Sequence, residues 1–214
     1  MWNEEQSKRL VAEHEVMRSL AKQGSILEFE TVGDPPTEYK VKLHGKGITR
    51  GSSFGGEVEY GDTHEFEIRL GYSYPDRPPD IRFLTPIFHP NISSSGYVRP
   101  EECGLDWAKE MTLDVVCERL WDLVRGAYVD VEKGGNYSAK RWFAEQKKVA
   151  LPVDNRPLRD RGAPTAANVI RYERGPASGK SASGDVLYIG DETPTPQIPK
   201  KRRDEKDVLY IGDE

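Results

Sequence analysis

The residues of this chain with reactive potential gather in FHPNISSSGYVRPEECGLDW, residues 88–107. His89 carries an imidazole, Asn91 a side-chain amide and Cys103 a thiol. A thiol attacks as the thiolate, and at an ordinary pKa of about 8.5 only a few per cent is ionised at neutral pH, so a nucleophilic Cys103 needs a cation or a helix N-terminus nearby. Arg99 stands four residues before it, and a helix is predicted a few residues after it. Glu101 and Glu102 act the other way, and Gly104 leaves room for backbone amides to approach a carbonyl. A bystander cysteine in a loop competes with the nucleophile. Cys117, inside an apolar helical stripe, reads as a small core residue.

The elements that must position these groups are legible from periodicity. Residues 4–23 predict a helix with Leu10, Met17, Leu20 and Ala21 on one face and a stop at Gly24. Period-two patterns follow at 27–31, 39–43 and 66–70, with GDPP at 33–36 and GITRGSSFGGEVEYGD at 47–62 read as connections. The prolines of YPDRPPDIRF, 74–83, make the next strand short or place it at an edge. MTLDVVCERLWDLVRG, 111–126, predicts a strong amphipathic helix capped by Thr112 or Asp106, and 136–150 a further one. The expected fold class is α+β: an N-terminal helix, an antiparallel four-stranded meander and C-terminal helices over residues 1–150.

From 151 to 214 the periodicity ends in a Pro-, Gly-, Ser- and Arg-rich stretch expected to be a disordered tail. Inside it DVLYIGDE occurs twice, at 185–192 and 207–214. Val186, Leu187, Tyr188, Ile189 and their repeats Val208, Leu209, Tyr210, Ile211 have high β propensity and acids on both sides. Such a segment can add as a strand to an exposed sheet edge, its acids meeting a basic rim. The fourteen residues between the copies, 193–206, span roughly 20 Å as a flexible chain, which permits two-point binding. A strand that docks on its own domain is the competing reading. The basic run in PKKRRDEK is balanced by acids and reads as solvated.

The bulk numbers constrain partners. With 36% hydrophobic and 31% charged residues, mean hydropathy of −0.71 and net charge of −5, the chain offers no general attraction to nucleic acid or membrane, and no apolar run reaches the length of a membrane span. Two cysteines and four histidines without metal-ligand spacing suggest a reduced, cytoplasmic protein with no metal and no cofactor.

YPDRPPDIRFLTPIFHPN, 74–91, resembles the signature segment of the ubiquitin-conjugating enzyme family, a YP-x-x-PP run leading through a strand to His-Pro-Asn. The resemblance implies a ubiquitin-like modifier received from an activating enzyme as a thioester and passed to an amine, with a ligase or a second conjugating enzyme as further partner. It gives Asn91 the oxyanion and loop-supporting role, makes His89 and Pro90 turn-shaping, and points to Asp130, with Glu132 in reserve, beside the acceptor amine. In that family the cysteine lies eight residues after the asparagine, and here that position is Arg99. Two alignments therefore compete. With RPEE as an insertion, Cys103 is the nucleophile; without a gap, Arg99 replaces it, Trp107 falls on a tryptophan common in the family, and the domain is an inactive variant that binds or scaffolds a ubiquitin-like protein.

Overall fold

The computed structural model describes residues 2–50 and 58–161. The octapeptides, and most of the expected tail, lie outside the described residues.

Helix α1, Glu4–Gln23, is started by Asn3, whose side chain accepts from the Gln6 N–H while the Gln6 side chain accepts from the Asn3 N–H. Its stripe of Leu10, Met17 and Leu20 is buried as the spacing requires. Five antiparallel strands follow in sequence order: β1 Leu27–Gly33, β2 Pro36–Arg50, β3 Val58–Arg69, β4 Asp80–Phe83 and β5 Tyr97–Val98. Alternation sorts the faces: Tyr39, Val41 and Leu43 stand opposite Ile68, Phe66 and His64 on the inner face. Glu28, Lys42 and Glu65 form a ladder of opposite charges on the outer one. A single apolar cluster joins the inner face to α1 and to helix α2, Leu113–Val124, whose Leu113, Val116, Cys117, Leu120, Leu123 and Val124 are all buried. Each such side chain contributes about 1.5–3 kcal/mol by leaving water.

Three expectations need correction. The connection read at 47–62 is partly strand: Gly47–Arg50 pairs with Val58–Gly61 beyond a bulge between His44 and Gly47. The buried His64 ring fills that bulge, its Nε2–H shared between the Gly45 and Gly61 carbonyls. β4 is short, as its prolines imply, and it pairs to both β3 and β5 because those prolines precede Asp80 rather than interrupt the ladder. The folded domain also runs past 150. Residues 153–161 form a strap across the ends of α1 and α2 and the β2 bulge. Trp121 Nε1–H donates to the Arg156 carbonyl (2.8 Å), Leu158 is buried, Arg159 pairs with Asp114 and Glu118, and Asp160 accepts from the backbone and hydroxyl of Ser25. Helix α3, Tyr137–Glu145, is shorter than its predicted span and is capped by Asn136.

A buried carboxylate ties the helices together. Glu13 Oε1 accepts from Arg9 and from the Tyr74 hydroxyl, while Oε2 accepts from Leu113 N–H (2.9 Å) at the start of α2. Thr112 is the N-cap residue but its hydroxyl turns to Asp114, so the carboxylate from α1 satisfies the helix end instead.

Candidate active site

Asn91 follows the His-Pro turn and is fully buried. Its Nδ2 donates to the Asp130 carbonyl (2.8 Å) and its Oδ1 accepts from Asp130 N–H (3.0 Å), so both ends of the amide are spent on one backbone unit across the loop. Asp130 is thus brought to Asn91 by its main chain. Its carboxylate turns back into its own loop, accepting from the N–H groups of Glu132 and Lys133 (both 3.0 Å). Glu132 is exposed, and its carbonyl accepts from Lys140 Nζ.

His89 completes the same scaffold. Its Nδ1 accepts from Asn91 N–H (3.1 Å) and its Nε2–H donates to the Tyr128 carbonyl (2.8 Å), which fixes the neutral tautomer. Burial lowers its pKa to about 4, against a smaller upward pull from the Tyr128 bond. At neutral pH this ring is a hydrogen-bonding strut.

After β5 the backbone enters a short 3₁₀ turn, η1, Pro100–Cys103, with Arg99 as its N-cap. Pro100 suits the first helical position, and the turn ends at Gly104 in the left-handed region (φ 69°), where a Cβ would lie 2.6 Å from the Tyr128 hydroxyl. The turn carries Cys103 inward. Its exposure is 0%, and its thiol faces the Asn91 carbonyl at 3.5 Å. Burial first, then Glu102, push the thiol pKa up to about 12, with Glu101 adding and Arg119 opposing. At neutral pH that leaves on the order of one thiolate in 10⁵. Cys103 therefore sits beside Asn91 without access to an incoming carbonyl. Cys117 is buried beside Met17, and burial raises its thiol as well.

Arg99 occupies the exposed position instead. Its side chain is 73% exposed and pairs through Nη1 with Glu102 at 2.9 Å. It lies in a groove of about 970 Å³ bounded by the start of β4, the Ser93–Ser95 turn, β5 with η1, and the start of α3. Tyr97 and Tyr137, 53% and 83% exposed, stand in its walls. The sequence marks Glu102 only as a neighbour that raises the Cys103 thiol, and gives no signal for Tyr97 and Tyr137; the i, i+3 spacing of Arg99 and Glu102 is what could have revealed the pair. Trp107 anchors the floor behind the site, its Nε1–H donating to the Pro75 carbonyl (2.9 Å) and its ring packing on Tyr74.

Comparison with known proteins agrees with this frame. The ubiquitin-conjugating enzyme family model matches residues 52–149. Ubiquitin-conjugating enzyme E2 T of Bos taurus is 53% identical over 144 residues, 63% of this chain and 74% of that protein. The 22 kDa ubiquitin-conjugating enzyme E2 of Drosophila melanogaster is 34% identical over 117 residues, 54% of this chain and 55% of that protein, so the match spans about half of its length. A putative ubiquitin conjugating enzyme from Trypanosoma cruzi superposes with a TM-score of 0.49 at 18% identity, over 64% of this chain and 89% of that one. The chain belongs to the ubiquitin-conjugating enzyme family.

Proposed function

We propose that this chain is a non-catalytic member of its family that binds a ubiquitin-like protein without forming a thioester. The observation that carries the reading is the exchange of positions around Asn91: Arg99 stands exposed eight residues on, while the one thiol nearby, Cys103, is buried against the Asn91 carbonyl. Catalysis by a thiol requires an accessible, ionisable sulfur. Trp107, seated on the Tyr74–Pro75 turn, supports the ungapped register in which Arg99 replaces the nucleophile. In this reading Asn91 and Asp130 hold the loop, and the two octapeptides, Val186–Ile189 and Val208–Ile211 at their centres, add strand-forming contacts to the modifier. A ligase or an active conjugating enzyme is the natural third partner.

The rival reading is a thioester on Cys103 with Asp130 beside the acceptor amine. It requires η1 to unwind, exposing the sulfur, and Asp130 to exchange its two backbone N–H bonds for an amine. One assay separates the two. With an activating enzyme shown to be active on a true conjugating enzyme, the wild-type chain gives no reductant-sensitive adduct with ubiquitin, yet binds it in titration. An adduct lost in Cys103→Ala and kept in Cys117→Ala overturns the non-catalytic reading. Deleting residues 185–214 weakens ubiquitin binding about tenfold if the octapeptides take part; unchanged affinity removes them.

A further inference from the structure

We propose that Arg99 makes the groove selective for a modifier whose C-terminus is a free carboxylate, over one whose C-terminus is already joined in an ester, thioester or amide. The inference rests on the binding reading above and adds which chemical form of the modifier is held. Four features carry it. The first is location: Arg99 stands where a family nucleophile meets the modifier's terminal carbonyl, so a tail lying in this groove brings its end to the guanidinium. The second is geometry. Glu102 engages Nη1 only, and among the described residues it is the one ion-pair partner of Arg99, so the Nε and Nη2 edge remains open to solvent. That planar edge matches the two oxygens of a carboxylate, whereas an amide or ester end is neutral and gives no ion pair.

The third feature is the shape of the groove. Gly135 contributes no side chain, a Cβ there would approach only Glu102 Oε2 at 3.7 Å, and Tyr97 and Tyr137 flank the path, so a narrow extended chain fits. The fourth is the charge around it. Among the described residues Arg99 is the one cation that lines the groove, beside Asp80, Glu101 and Glu102, while Arg82 and Lys140 stand over the Tyr97 and Tyr137 rings of its walls. An incoming carboxylate therefore meets a single cation with an open edge inside the groove. This dictates a sign: with Arg99 the free acid is preferred, and without it that preference is lost. The Arg99–Glu102 pair is solvated on its Arg99 side, which lets the guanidinium yield or share it. No bond is made or broken, since a guanidinium at this position offers no nucleophile.

The test is titration of the full chain with two probes, ubiquitin bearing its native C-terminal carboxylate and ubiquitin bearing a C-terminal carboxamide, at low salt. The wild type binds the acid about fivefold more tightly, the size of one exposed charge-assisted pair. Arg99→Ala binds the two probes alike, and Glu102→Gln, which removes the competitor, widens the wild-type preference for the acid. Both side chains sit at the surface end of η1, and an unchanged circular dichroism spectrum establishes that each variant is folded. Equal affinity of the wild type for both probes, or a preference for the acid that survives Arg99→Ala, overturns the inference while leaving the binding reading intact. Failure of both probes to bind removes the binding reading, and this one with it.

Discussion

Two buried polar centres hold this domain together, and only one resembles machinery. At the front, His89, Asn91 and the Asp130 backbone form a closed set of hydrogen bonds around the loop. At the back, Glu13 gathers Arg9, Tyr74 and the first N–H of α2. The two are alike in physics: the central group of each, Asn91 or Glu13, is fully buried and paired at both ends, as the cost of desolvation demands. The comparison teaches that the hydrogen bonds of a family motif can do the same structural work as a buried carboxylate. What differs is the surface beside them: at the front the exposed charged side chain is the guanidinium of Arg99.

Perturbing each centre in turn can break that likeness. The largest effect is expected from Glu13→Ala, which strands Arg9, the Tyr74 hydroxyl and Leu113 N–H; urea unfolding should show a loss of about 3–5 kcal/mol. A loss under 1 kcal/mol would mean that the back centre is not structural.

Acid should act next, through the front. The pKa of His89 in the fold, about 4, lies below its unfolded value of about 6.5, so the unfolded chain binds more protons between these values. Stability is therefore full above the unfolded value and falls as pH drops toward 4, by on the order of 3 kcal/mol. Burial shifts His64 in the same direction, so His89→Gln should flatten the curve in part. A wild-type stability level from pH 7 to 4.5 would contradict the placement of that ring.

Asn91→Ala leaves the Asp130 carbonyl and N–H without partners and should cost about 2–3 kcal/mol, read as a lowered melting temperature. If it left stability untouched, the amide would be held in reserve for chemistry rather than for the loop. Smallest of all, Arg99→Ala should change stability by less than about 0.5 kcal/mol, because the Arg99 side chain is mostly exposed. A larger loss would make Arg99 part of the scaffold and erase the contrast with Asn91.

Much of the frame was legible because it follows period and punctuation. The α1 stripe and the alternation of Tyr39, Val41, Phe66 and Ile68 needed no tertiary information. What failed depended on distant partners. Gly47 and Gly61 read as turn residues, but Gly47 is small because a Cβ there would lie 2.5 Å from His64 Nε2. Glu13 reads as one more helix-surface acid until Tyr74 and Leu113 are brought to it. Residues 153–161 carry no periodicity because their fastening is side chain to backbone, one bond at a time. At the site, the motif placed Asn91 and raised both candidates for the next step. Whether Cys103 faced out or in depended on the 3₁₀ turn that Pro100–Cys103 adopts, which composition does not encode.

The strap also leaves a footprint on residues remote from it in sequence. A Cβ at Gly24 would lie 2.1 Å from the Leu158 carbonyl, and one at Gly45 would meet Trp121, Arg156 and Asp154 at 2.4–2.9 Å. Both glycines are thus moulds of a segment more than a hundred residues downstream. A domain trimmed at residue 150 would keep these two hollows and lose the strap that packs on them, so the smallest unit worth expressing reaches at least Arg161. Among relatives, a bulky side chain at either hollow would mark a chain in which the C-terminal end takes another route.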